Sequence, residues 1–184
     1  MKTVNLEPSL YYHFYNRGNN KENLFKERTN YLHFLYLLEK HLLPVCNVYS
    51  YCLLPNHFHL LIQIKEMDEL PEKYKNGERR VHQPFSNMLN AYTKGYNKRY
   101  NRIGSLFQKH PKKIEVKDED YFRNLIVYIN TNSSHHGIAD YKTYPYSSYN
   151  ILSNEDETFL KRQVVLEKFD GKKNFIYQLN NAGS

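Results

Sequence analysis

Cysteine is nearly absent. Cys46 and Cys52 are the only cysteines in 184 residues, too few for a disulfide framework, and their spacing is not that of a CxxC redox pair. They read as reduced, buried core residues. No apolar stretch approaches the roughly 20 residues of a membrane span, so no membrane partner is expected. The opening MKTVN lacks the apolar core of a secretory signal, which sets the expectation of a cytoplasmic protein. Internal repeats and low-complexity tracts are missing too. At this length one domain with a full core fits, and a second would be cramped.

What is abundant is positive charge and tyrosine. Lys and Arg number 26 against 19 acidic residues, a net charge of +7, and there are 18 tyrosines. Cations meet phosphates and flat rings stack on bases, so the balance suits nucleic acid. It equally suits a basic protein whose tyrosines fill its core, and composition leaves both readings open.

The aromatic run 9–16 reads as a strand ended by the turn cluster RGNN at 17–20. Apolar residues at Tyr31, Phe34, Leu35, Leu38 and Leu42 predict a helix over 29–43, stopped by Pro44. Strands at 45–54 and 58–65 join around Pro55 and Asn56. Residues 66–83 are polar and predict a surface loop. A helix follows over 85–102, then strand-like alternation over 105–117. Asp118 reads as the N-cap of a helix over 119–132, with acidic residues in its first turn. A loop at 140–149 and two short amphipathic segments end the chain. The order strand, helix, strand, strand, helix, strand, helix predicts an α+β fold. It is a ferredoxin-like sandwich, an antiparallel sheet with helices packed on one face.

The densest chemical signal is the run LLPNHFHLLI at 53–62. Residues two apart on a strand share a face, so His57 and His59 project together while Phe58 projects oppositely. Two neutral imidazoles make part of a metal site. On the helix after Asp118, Tyr128 and Asn132 are four apart and share a face. If that helix crosses the histidine strand, Asn132 offers an amide oxygen as third ligand, with the Tyr128 phenol beside the metal. Oxygen and imidazole ligands with open positions suit Mg²⁺ or Mn²⁺. A tyrosine can serve as a covalent nucleophile toward a phosphodiester, leaving a phosphotyrosine and a free 3′ hydroxyl.

Several segments together carry a resemblance. These are YHFYNRG at 12–18, LPNHFHLL at 54–61, GSLFQK at 104–109, YINTNSSHHG at 128–137, YPYSSY at 144–149 and VLEKFDG at 165–171. In them the chain resembles the IS200/IS605-type tyrosine transposases, above all the REP-associated subgroup, members of the HUH endonuclease superfamily. The resemblance implies Tyr128 as nucleophile and His57, His59 and Asn132 as ligands of Mg²⁺ or Mn²⁺. It implies a single-stranded DNA endonuclease and strand transferase acting at hairpin-containing DNA, as monomer or homodimer. Residues 1–150 would be the catalytic domain, with its polar loop near 66–83, and 151–184 a helical extension of the same domain. Asn130 departs from the His common in the family pattern, and Ser133 from the usual Pro.

Other residues carry two readings. Lys94, Lys98, Arg99 and Arg102 are either DNA contacts or a solvated helix face, and Lys109, Lys112 and Lys113 share that balance. Arg17 is a phosphate contact or half of a structural ion pair. Tyr92, Tyr96 and Tyr100 read as core rather than as a base-stacking ladder. His135 and His136 read as C-terminal caps of their helix, and His13 as packed. Two rival functions remain: a transposase-derived hairpin binder that does not cut, and a metal-dependent hydrolase using water as nucleophile.

Overall fold

The structure, a computed structural model, describes residues 5–182. Strand β1 (Tyr11–Arg17) leads through helix α1 (Arg28–Leu42) into the hairpin of β2 (Cys46–Leu54) and β3 (His57–Ile64). The polar segment after β3 holds one helical turn, α2 (Glu72–Lys75), before the long helix α3 (Gln83–Arg99). Strand β4 (Lys112–Val116) and helix α4 (Glu119–His135) follow, then α5 (Tyr149–Ser153), α6 (Arg162–Lys168) and α7 (Lys172–Ala182). The four strands form one antiparallel sheet in the order β2-β3-β1-β4. Two βαβ units interleaved in this way give the split arrangement of ferredoxin-like folds.

The α+β class stands, but the helices do not share one face. Phe34 of α1 and Phe85 of α3 pack on Phe58 and Phe14, which point to one side of the sheet. Helix α4 covers the other side, where Phe122 meets Tyr11 and Tyr49. Both faces of the sheet are therefore covered here, and β2 and β3 are buried along nearly their whole length.

A bulge in β2 fits the sheet to α4. The register shifts between Val48 and Ser50, so that Tyr49 and Ser50 both turn to the α4 side. Tyr49 packs on Phe122, and Ser50 accepts a hydrogen bond from the Asn130 amide at 3.0 Å. Ser148 completes a closed buried network, donating to Asn130 Oδ1 at 2.7 Å and meeting Ser50 Oγ at 2.9 Å. Asn130 thus pins α4 to the sheet. The YPYSSY segment borders β2: Leu53 N–H donates to the Tyr146 carbonyl at 2.9 Å and the Tyr144 hydroxyl to that of Leu53 at 2.7 Å. An edge strand covered in this way is closed to outside pairing.

The region 105–117 is strand only over Lys112–Val116; earlier residues wind past Gly18, which bridges Phe107. Gly18 is required there, since a Cβ would come 2.0 Å from the Glu22 carbonyl oxygen. At the C-terminus, Val165, Phe169, Phe175 and Leu179 are buried. No helix among the described residues is long and apolar enough to cross a membrane.

Candidate active site and nucleic-acid interface

Antiparallel pairing sets Arg17 opposite His57 and Tyr15 opposite His59, so alternate β1 residues join the histidines on one face. Above them runs α4, started by the Asp118 carboxylate accepting from Tyr121 N–H at 2.7 Å. Its Tyr128 ring stands edge-on to His59, centroids 5.6 Å apart, and is 41% exposed. One turn on, the Asn132 side chain is fully buried and neither its oxygen nor its nitrogen completes a hydrogen bond. It stands close enough to His57 to favour that ring's protonated form. A buried, unsatisfied amide is costly unless a ligand or partner engages it.

The two histidines differ in how their Nδ1 atoms are held. His57 Nδ1 lies 2.7 Å from Asn56 Oδ1, in the tight β2–β3 turn. His59 Nδ1 lies 2.8 Å from Nε2 of the buried His13. Burial pushes His13 and His57 down to about 4, with the nearby His136 and Arg17 adding to the effect on His57. Burial, then the like charges of His13, His57 and His136, takes His59 to about 2. All three rings are neutral near pH 7, the form that ligates metals. No group of three His, Cys, Asp or Glu side chains among the described residues is placed to hold a metal. A cation here needs the Asn132 oxygen besides the imidazoles, and that unsatisfied oxygen makes the donor set fit a hard divalent ion.

Beside these residues opens a cavity of about 400 Å³ lined by Arg17, His57, His59, Lys109, Lys112 and Tyr128, with Gln108, His110 and His136 on its border. Arg17 Nε is buried there without a hydrogen-bond partner. Five basic residues singled out in the sequence stand elsewhere. Lys113 pairs with Phe14 and points to the far face, beside Phe85. Lys94, Lys98, Arg99 and Arg102 belong to α3 and the turn after it, also on that far side. Arg99 pairs with Glu27 at 2.5 Å and Arg102 with Glu22 at 2.7 Å. Tyr92 and Tyr96 are buried, their hydroxyls bonded to the carbonyls of Leu24 and Asn23 at 2.6 Å each. They are core.

Residues that the sequence did not assign to this site also converge here. Tyr15 stacks on His59 with centroids 5.3 Å apart. His136, read as a cap, ends α4 with its backbone but turns its ring to within 4.8 Å of that of His57. The signal for His136 was its spacing, four residues past Asn132 and eight past Tyr128, on one helical stripe.

Neither a family model nor a curated protein matches this chain. A solved structure does: a REP-associated tyrosine transposase bound to a REP hairpin, at a TM-score of 0.63 and 14% identity, over 82% of each chain. At that identity the likeness is one of fold. The four-stranded antiparallel sheet with its packed helices is a transposase-like fold.

Proposed function

We propose that this chain is a metal-dependent endonuclease and strand transferase for single-stranded, hairpin-containing DNA, with Tyr128 as nucleophile. The observation that carries the reading is the joint placement of the exposed Tyr128 and the His57/His59 pair on one cationic cavity, with the unsatisfied, buried Asn132 amide close behind His57. Arg17, Lys109 and Lys112 would receive the phosphates of the strand. His57, His59 and Asn132 would hold Mg²⁺ or Mn²⁺, which when bound supplies charge stabilisation to the phosphate's non-bridging oxygens. Attack forms the Tyr128 Oη–P bond and breaks the P–O3′ bond. The phenol gives up one proton and the departing 3′ oxygen takes one up, so charge and bond count balance. Rejoining reverses these steps without ATP. The buried network around Asn130 and Ser148 keeps α4 in place over the histidines during both.

Single-stranded hairpin oligonucleotides from the flanks of the gene, labelled at either end and incubated with Mn²⁺, test this on a denaturing gel. The expected product is a covalent adduct carrying the 3′-side fragment, absent in Tyr128→Phe and with EDTA. A free 5′ phosphate without adduct would identify water as the nucleophile. Tight binding without a nick would identify a hairpin binder that does not cut.

A further inference from the structure

An imidazole ligates a metal through one nitrogen only when the other carries the ring proton, and a hydrogen-bond acceptor at that second nitrogen fixes the arrangement. For His57 the acceptor is local: Asn56 Oδ1, 2.7 Å from Nδ1, leaves Nε2 with its lone pair. For His59 the partner is another imidazole. His13 Nε2 lies 2.8 Å from His59 Nδ1, on a neighbouring strand and 46 residues away in sequence. Two proton arrangements satisfy that contact. If His13 donates, His59 carries its own proton on Nε2 and cannot ligate. If His59 donates, its Nε2 is free.

We propose that His13 is a positioning residue which accepts the His59 Nδ1–H at Nε2 and so holds His59 in the tautomer that ligates a divalent cation. The proposal rests on the reading of His59 as a ligand. The surroundings suit a fixed pair. His13 is 6% exposed, and its ring lies nearly parallel to that of His59 at 5.1 Å between centroids. Tyr15 covers both rings, at 4.5 Å from His13 and 5.3 Å from His59. The β1–β3 register brings the two strands together at this point, so neither ring has to be drawn in when a cation arrives. His13 does not ligate; it sets which lone pair His59 offers.

Acceptor and packing roles separate by substitution. In metal-stripped full-length protein, Mn²⁺ binding is read from the loss of the free-ion electron paramagnetic resonance signal, with thermal melts checking that each variant folds. His13→Phe keeps ring packing but offers no acceptor, and is expected to weaken Mn²⁺ binding about 10–100-fold. His13→Gln offers an amide oxygen near the position of Nε2 and should bind within a few-fold of wild type. Equal binding by His13→Phe and wild type, or equal weakness of Gln and Phe, overturns the proposal. Long-range proton–nitrogen spectra of the metal-free wild type give a check free of any substitution: His59 must show its proton on Nδ1, and a proton on Nε2 overturns the proposal. Wild-type protein that binds no Mn²⁺ while showing the Nδ1–H tautomer would sink the metal site itself, and the proposal with it.

Discussion

His13 and His57 have to remain neutral in a folded protein that has taken most of their water away, and this makes stability depend on pH in a definite direction. In the unfolded chain both take up a proton near pH 6.5; in the fold neither does until about pH 4. Between those values the unfolded state binds more protons, so stability is complete above about pH 6.5 and falls as pH drops toward 4. His41, lowered by burial, acts in the same sense. Carboxylates scarcely titrate between pH 6.5 and 5, so that window reports the histidines. In EDTA the melting temperature should fall steadily from pH 7 to 5, and less steeply in His13→Gln. A flat profile in wild type would show that the rings are better solvated than their burial implies. The His57/His59 pair was legible in the sequence because strand parity is local. The His13 contact was not, since it depends on which β1 residue lies beside which β3 residue, a register set by tertiary packing.

Helix α4 was legible to within its last turn, because Asp118 and the acidic first turn are strong start signals. Its docking was not. A β-bulge leaves no mark in the CNVYSYCLL run of β2, yet that bulge turns Tyr49 and Ser50 together toward Phe122 and Asn130. Asn130 also donates to the Ile126 carbonyl at 2.8 Å, so one buried amide ties helix, strand and the YPYSSY segment. Asn130→Ala should lower unfolding free energy by about 1–3 kcal/mol, since its buried partners lose bonds that water cannot replace. Ser148→Ala should cost a similar amount, and the double variant less than the two together, with a coupling of about 0.5 kcal/mol or more. Denaturant melts of the four proteins measure this directly. Strict additivity would mean that the groups act separately and that α4 is held by its apolar face alone.

The molecule as a whole carries +7, but that charge does not act as one surface. The sheet divides it. Lys109 borders the cavity beside Tyr128, while Lys94 and Lys98 ride on α3 across the sheet, over the Phe58 side. In the sequence they carry the same two readings, DNA contact or solvated face; only the sheet's two-sided packing separates them. Salt dependence distinguishes the groups, because each phosphate contact with a single strand adds about −0.7 to the slope of log affinity against log salt concentration. A strand crossing the cavity over Arg17 and Lys109 should lose about one such increment in Lys109→Ala, with weaker binding across all sequences. Lys94→Ala and Lys98→Ala should leave the slope unchanged, because a strand reaching the Tyr128 phenol lies on the other side of the sheet. Binding isotherms with short unpaired oligonucleotides at several salt concentrations give the three slopes. If instead the α3 variants flatten the dependence and Lys109→Ala does not, the strand lies along the Phe58 side, where Tyr128 cannot touch it, and covalent chemistry through Tyr128 is ruled out for that bound form.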